Sequence, residues 1–119
     1  MYPGIDMIEI ERFAQAYKRH PALAERLFTA EEREELQGKP MRSWAGRFAA
    51  KEAVMKALGE GIGSLSWHDI AIRTDHRGQP QVMLTAKAQA LAERRGGKLV
   101  RVSIAHQRTQ AVAVAILSG

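Results

Sequence analysis

Apolar residues alternate with polar or small residues at both ends of the chain, which is typical of β-strands. Residues 2–10 carry an isoleucine or methionine at nearly every second position, and Asp6 interrupts them. Residues 99–105 and 111–117 alternate in the same way on either side of a polar turn at 106–110. The alternation predicts one strand at the N-terminus and an antiparallel pair at the C-terminus.

A second predicted hairpin lies in the middle of the chain. Residues 69–74 and 80–84 are apolar segments separated by the turn sequence Asp75-His76-Arg77-Gly78. Glycine at the end of such a turn favours a tight reversal. We therefore expect these two strands to pair antiparallel.

Helix-forming segments alternate with these strands. Thr29 and Glu32 have the spacing of a capping box, so a helix should begin there and run to Gly38. Residues 42–58 hold no proline, and ten of the 17 are alanine, lysine, glutamate, methionine or leucine, which predicts the longest helix, beginning at Met41 or Arg42. Further helices are predicted at residues 11–19, as a short turn at 23–27, and at 85–95 before Gly96-Gly97.

The order of these elements lacks the regular strand-helix alternation of a parallel sheet. We therefore predict an α+β protein whose mostly antiparallel sheet packs against one long helix and several shorter ones. With 119 residues, the chain is long enough for one core and short for two. A single domain over residues 1–119 is expected.

Composition narrows the functional classes. The chain has no cysteine, which excludes disulfides and thiolate chemistry, and its longest apolar stretch is far below the roughly 20 residues of a membrane-spanning helix. The start of the sequence has no secretory pattern, so a cytoplasmic location and no membrane contact are expected. A net charge of +5 favours an acidic or phosphorylated partner. Solvated charges that only maintain solubility explain it equally well.

A nucleic-acid-binding module is the alternative function suggested by charge alone. Its candidate residues are Arg94, Arg95, Lys98 and Arg101. Only seven aromatic residues occur in the chain, and few lie near this basic segment. Single-stranded nucleic acids are usually bound on aromatic side chains, so support for this alternative is weak.

The long helix carries the most informative arrangement of charged residues. Ala45, Ala49, Glu52 and Lys56 follow one another at intervals of four, three and four residues, so they share one stripe beside the apolar face. An exposed Glu–Lys pair at this spacing commonly adds only a few tenths of a kcal/mol to helix stability, about 0.2–0.5 kcal/mol. On a half-buried face, the carboxylate can instead bind a hard cation and the lysine can contact phosphate.

A second carboxylate for such a cation is available at Asp6, where an acid interrupts an apolar strand. An acid at this position is more often a turn or cap residue, but Mg²⁺ needs only one or two protein carboxylates. His106 ends a predicted strand, and none of the four histidines has metal-ligand spacing to another. The glycine-rich segment from Gly59 to Gly63 can approach a ligand closely.

Four stretches of the sequence together resemble the holo-[acyl-carrier-protein] synthases, the small class of 4'-phosphopantetheinyl transferases. They occur in family order across nearly the whole chain. The stretches are Gly4-Ile5-Asp6-Met7-Ile8-Glu9-Ile10-Glu11-Arg12-Phe13, Arg47-Phe48-Ala49-Ala50-Lys51-Glu52-Ala53 with Lys56-Ala57-Leu58-Gly59, Gly61-Ile62-Gly63, and Ser103-Ile104-Ala105-His106.

The resemblance implies the 4'-phosphopantetheinyl transferase fold and a set of site residues. Asp6 and Glu52 are expected to bind Mg²⁺, which grips the pyrophosphate of coenzyme A, and Lys56 to neutralise charge on the transferred phosphate. His106 and Arg47 are expected near the adenosine 3'-phosphate. Helical phasing places Arg47 far around the helix from Glu52, so it would have to reach the ligand by its length or from another subunit. The coenzyme is also expected beside the glycine run, at Gly61 and Gly63.

The implied reaction moves the 4'-phosphopantetheine group of coenzyme A onto a serine of an acyl carrier protein, in support of fatty acid biosynthesis. Arg12, Arg19 and Arg26 recur every seven residues and are expected to face the acidic carrier, with Arg12 best placed by the resemblance. Ordinary solvated charges are the alternative explanation, and the break at Pro21 means that the three arginines need not share one face. The family also implies a homotrimer with active sites between subunits. No nucleic acid partner is expected.

Overall fold

The computed structural model of the protein describes residues 1–59 and 64–119. Within them, the first half of the chain contains one strand followed by four helices, and the second half contains four strands and one α-helix. The elements of the first half are β1 (Tyr2–Glu9), α1 (Ile10–Arg19), α2 (Leu23–Leu27), α3 (Ala30–Leu36) and α4 (Met41–Leu58). A 3-10 turn at Trp67–Asp69 precedes β2 (Ile70–Thr74), β3 (Pro80–Leu84), α5 (Ala86–Arg94), β4 (Leu99–His106) and β5 (Gln110–Ser118).

The strands pair antiparallel throughout the described residues, but they divide into two sheets. One sheet has the order β1-β5-β4 and the other is the β2–β3 hairpin. In the larger sheet, Asp6 lies opposite Ala113, and Ala113 lies opposite Ile104 on its other side. The predicted α+β single domain is therefore confirmed, with its sheet in two parts.

Helix α4 is the centre of the fold. Most of its side chains are buried, and it packs across β1, β5 and β4. Close packing requires small residues on the facing strands: Ala111, Ala113 and Ala115 of β5 are buried against it. At Gly4 of β1, an added Cβ would overlap the carbonyl oxygen of Ala53 in α4. Helix and strand therefore approach closely just before Asp6.

An aromatic cluster fills the space between α4 and the short helices. Phe28 is fully buried and its ring meets those of Phe13, Trp44 and Phe48 edge-on at centroid distances of 5.5 to 6.5 Å. Edge-to-face contacts at this separation are favourable beyond the area they bury. The cluster fixes α1 and the end of α2 against one side of α4.

A buried ion pair joins α3, α4 and β2. Lys51 Nζ lies 2.6 Å from Glu32 Oε1, and both side chains are fully buried. The Glu32 carboxylate also accepts hydrogen bonds from the backbone N–H groups of Thr29 and Ile72. Thr29 and Glu32 form the predicted capping box, so one carboxylate both caps α3 and anchors α4.

The outer face of the larger sheet is apolar and exposed. Ile5 and Met7 are each 58% exposed, and Val114 and Ile116 of the neighbouring strand are 39% and 38% exposed. The alternation in the sequence identified these strands correctly, but Ile5, Met7, Val114 and Ile116 point away from α4, whereas Gly4 and the buried alanines of β5 point toward it. No helix in the described part of the chain is both long and apolar enough to cross a bilayer.

Candidate active site

Asp6 and Lys56 meet where β1 crosses the last turn of α4. Lys56 Nζ donates hydrogen bonds to Asp6 Oδ1 at 3.1 Å and to the carbonyl oxygen of Ile5 at 3.0 Å. The Asp6 side chain is only 11% exposed, whereas that of Lys56 is 55% exposed. The strand therefore presents a largely buried carboxylate, and the helix presents a lysine that solvent or a ligand can reach.

Glu52 lies one helical turn before Lys56 and is half-buried. Its burial raises the pKa of its carboxyl group, and the negative charge of Asp6 raises it further, while Lys56 lowers it in part. The two carboxylates of Asp6 and Glu52 repel each other and share the single charge of Lys56, so the site has a net negative charge. The structure thus brings together the three residues Asp6, Glu52 and Lys56 predicted from the sequence.

The second carboxylate oxygen of Asp6 has a different environment from the first. Oδ2 is buried, and no hydrogen-bond partner for it exists in the described residues. An unpaired carboxylate oxygen is costly to bury, and a bound cation would offset that cost. Residues 1–59 and 64–119 contain no cluster of three or more acidic, histidine or cysteine ligands. Two carboxylates without further protein ligands suit Mg²⁺, which completes its shell with water and phosphate oxygens.

Arg47 and His106 line a separate, basic cavity of about 570 Å³. It lies between the first turns of α4, the β2–β3 turn and the end of β4. Lys39, Arg42 and Arg77 also line it, and so does Ser103. Asp6, Glu52 and Lys56 are not among the described residues that line this cavity. One chain therefore carries the carboxylate cluster and the basic cavity as two distinct regions.

Arg47 is held in place by residues that sequence reasoning missed. Its Nη1 donates to Glu35 Oε1 at 3.0 Å and to the carbonyl oxygen of Ile72. Glu35 also accepts a hydrogen bond of 2.7 Å from Arg73 Nε. These contacts lie on the side of α4 that faces α3 and β2. They agree with the sequence-based expectation that Arg47 lies far around the helix from Glu52. Nothing local in the sequence links Glu35 with partners 12 and 38 residues away.

The three arginines expected to contact a carrier protein separate into two places. Arg12 and Arg19 line one shallow groove on α1 together with Glu11 and Gln15. Arg12 is 85% exposed and lies 3.6 Å from Glu9, a contact that adds little at such exposure. Arg26 lies instead on α2 beside Ser66 and Trp67. Gly61 and Gly63 lie outside the described residues.

Comparison with known proteins gives a consistent result. A family model for the 4'-phosphopantetheinyl transferase superfamily matches residues 2–115. The holo-[acyl-carrier-protein] synthase of Moorella thermoacetica is 47% identical over 116 residues, covering 96% of this chain and 91% of that protein.

Two solved structures are similar over nearly their full length. The crystal structure of the holo-[acyl-carrier-protein] synthase from Neisseria meningitidis matches with a TM-score of 0.89 at 32% identity, covering 99% of this chain and 98% of that one. The Helicobacter pylori enzyme in complex with coenzyme A matches with a TM-score of 0.87 at 33% identity, covering 98% and 99%. The resemblance found in the sequence is thus confirmed, and this chain belongs to the 4'-phosphopantetheinyl transferase superfamily.

Proposed function

We propose that this protein is a holo-[acyl-carrier-protein] synthase that transfers 4'-phosphopantetheine from coenzyme A to a serine of an apo acyl carrier protein. The observation that carries the proposal is the cluster of Asp6, Glu52 and Lys56, in which the buried Asp6 Oδ2 has no partner among the described residues. Relatives at 42% and 47% identity are holo-[acyl-carrier-protein] synthases, and a similar solved structure contains coenzyme A.

Asp6 and Glu52 are proposed to hold Mg²⁺ between them. When bound, the ion would offset the negative charge of the coenzyme A pyrophosphate as the reaction proceeds. Asp6 Oδ2, which finds no hydrogen-bond partner in the described part of the chain, supports a cation at this place, and so does the pKa of Glu52, which burial and then the negative charge of Asp6 raise. Lys56 already neutralises one side of Asp6, so the remaining oxygens are those available to the ion.

Lys56 is proposed to act directly on the transferred phosphate. It is more than half exposed, and within residues 1–59 and 64–119 its ammonium group donates to two acceptors on β1, which leaves a third donor position for a phosphate oxygen. The carrier's serine oxygen forms a bond to the phosphorus next to pantetheine, and the bond from that phosphorus to the oxygen that bridges the two phosphorus atoms breaks. Adenosine 3',5'-bisphosphate leaves with that oxygen, where Lys56 stabilises the developing charge.

Glu52 is the candidate base for the serine proton. Glu52 is half-buried beside Asp6 and lies one helical turn before Lys56, so its carboxylate is placed to hold a water that receives the proton. We propose that the proton passes to Glu52 through a bound water.

Residues 1–119 are proposed to form one transferase domain that works as a homotrimer. The carboxylate cluster and the basic cavity with Arg47 and His106 are separate within one chain, yet coenzyme A needs both a pyrophosphate site and a site for its 3'-phosphate. A second copy can bring its cavity next to the first copy's carboxylates. The exposed apolar face formed by Ile5, Met7, Val114 and Ile116 is suited to be buried between copies.

The carrier protein is proposed to dock on α1. Carrier proteins present an acidic helix beside their serine, and the groove with Arg12 and Arg19 offers two exposed cations at the start and end of α1. This helix begins directly after the strand that holds Asp6. Arg26 on α2 would extend the basic surface. Such an enzyme would act in the cytoplasm and supply holo carrier protein for fatty acid biosynthesis.

The test is a transfer assay with the purified protein, coenzyme A, Mg²⁺ and an apo acyl carrier protein. Mass spectrometry of the carrier should show one added phosphopantetheine group, and the gain should disappear when Mg²⁺ is removed by a chelator. A carrier whose serine is replaced by alanine serves as the matched control. An unmodified carrier under conditions in which a known synthase modifies it would exclude the proposed activity.

A further inference from the structure

Glu35 is the one carboxylate among the described residues that line the basic cavity. Its side chain is 19% exposed and accepts hydrogen bonds from Arg47 Nη1, Arg73 Nε and the backbone N–H of Thr74. Burial raises the pKa of Glu35, but the hydrogen bonds from Arg73, Arg47 and Thr74 outweigh burial, so that the pKa lies below its usual value. Glu35 is therefore a charged group that links α3, α4 and β2 at the cavity wall.

The contact with Glu35 uses only one nitrogen of Arg47. Nη1 donates to both Glu35 and the Ile72 carbonyl, and in the described part of the chain neither Nε nor Nη2 of Arg47 has a hydrogen-bond partner. A guanidinium group binds phosphate best through two parallel N–H groups on one edge. Fixing Nη1 leaves the edge formed by Nε and Nη2 for a ligand of the cavity. Arg47 is only 8% exposed, so it has little freedom to turn away.

We infer that Glu35 is a positioning residue for phosphate recognition: it fixes Arg47 so that its remaining edge binds the 3'-phosphate of coenzyme A. This inference rests on the proposed function, in which Arg47 and His106 receive that phosphate. Glu35 itself does not touch the ligand and takes no part in phosphoryl transfer. Its removal should weaken coenzyme A binding without slowing the reaction of the bound complex.

Simple electrostatics predicts the opposite sign. Removing a negative charge from a basic cavity should strengthen the binding of an anion if the orientation of Arg47 were irrelevant. The Glu35→Ala variant therefore separates the two explanations. With positioning, we expect the KM for coenzyme A to rise about tenfold, which corresponds to about 1.4 kcal/mol, and kcat to stay within about twofold of the wild type.

Dephospho-coenzyme A, which lacks the 3'-phosphate, shows whether the effect passes through that group. Its KM should be nearly equal for the wild type and for Glu35→Ala. Glu35→Gln keeps the size of the side chain and one acceptor oxygen, so its KM for coenzyme A should lie between the values of the wild type and of Glu35→Ala. Glu34→Ala is the matched control, because Glu34 is the exposed neighbour on the same helix and loses the same charge.

Direct binding separates this inference from the proposed function. In calorimetry without a carrier protein, adenosine 3',5'-bisphosphate should bind Glu35→Ala more weakly than the wild type, while adenosine 5'-monophosphate should bind both alike. Wild-type protein that modifies no carrier would refute the function, whereas an active wild type with unchanged or tighter binding in Glu35→Ala would refute the role of Glu35. An equal loss with dephospho-coenzyme A would also refute it. If Glu35→Ala fails to fold, Glu35→Gln decides by the same criteria.

Discussion

The buried pair of Lys51 and Glu32 offers a quantitative test of how the fold supports the site. Lys51 precedes Glu52 on α4 and contacts α3 and β2 through Glu32, so the pair fixes the rotation of α4 that turns Glu52 toward Asp6. Both side chains are fully buried, their charged atoms lie 2.6 Å apart, and burial lowers the pKa of Lys51. We consider Lys51→Met, which removes the charge and leaves no large cavity.

The expected cost follows from what Lys51→Met leaves behind. The Glu32 carboxylate keeps the N–H groups of Thr29 and Ile72 but loses its counter-charge, and breaking one side of a buried pair costs about 3 to 5 kcal/mol. Because two donors remain, we expect the lower value, about 3 kcal/mol. Against a total stability of roughly 5 to 15 kcal/mol, this is a large fraction.

A double-mutant cycle isolates the pair itself. Glu32→Gln alone leaves a buried ammonium group, which should cost about as much, on the order of 3 kcal/mol. The double variant buries no charge, so its cost should be less than the sum of the single costs by about 2 kcal/mol or more.

Urea unfolding followed by circular dichroism measures each free energy, with Lys18→Met on exposed α1 as the control. Single variants that lose less than about 1 kcal/mol, or costs that simply add, would contradict the account of this pair.

Three further predictions concern other parts of the molecule. Arg12→Glu should raise the KM for the carrier about tenfold at low salt and leave coenzyme A binding unchanged; Arg94→Glu, at the end of α5, is the charge-matched control, and an unaffected carrier KM would place docking elsewhere. Val114→Lys should convert the proposed trimer to inactive monomers in sedimentation, because it would place a charge in each proposed apolar interface; a fully active wild-type monomer would refute the assembly. Glu35→Gln should lower the free energy of unfolding at neutral pH. Because folding lowers the pKa of Glu35, this difference should shrink as the pH falls below the usual carboxyl range, and a difference independent of pH would contradict the assigned charge.

Local sequence features predicted the elements well because the responsible interactions are local. The capping box at Thr29 and Glu32 set the start of α3, and Gly59 ends α4 with a left-handed backbone, φ 79°. The spacing of Glu52 and Lys56 placed both on one face of α4, and Asp6 interrupts an apolar strand because it meets that face. Helical periodicity and the acid in the apolar strand were therefore sufficient to predict this part of the site.

The remaining features depend on contacts between distant segments. Nothing in the sequence near Glu32 or Glu35 indicates that each binds a cation of α4, 19 and 12 residues away respectively. Alternation on β1 and β5 could not tell which face packs on α4, since here Gly4 and three alanines pack inside while Ile5, Met7, Val114 and Ile116 stay outside. Because the helix is broken at Pro21, the seven-residue spacing does not place the three arginines on one face, and Arg26 lies away from the α1 groove.

Carrier modification by the wild type, Asp6→Asn and Glu52→Gln, measured side by side, tests the central claim most directly. Each substitution keeps the size of the side chain and removes one negative charge from the proposed Mg²⁺ site. At saturating coenzyme A and Mg²⁺, the wild type should add one phosphopantetheine group to the carrier, and both folded variants should lose essentially all of this transfer. Near-normal turnover by either variant, with its fold verified by circular dichroism, would contradict the assignment of Asp6 and Glu52 as the catalytic metal ligands.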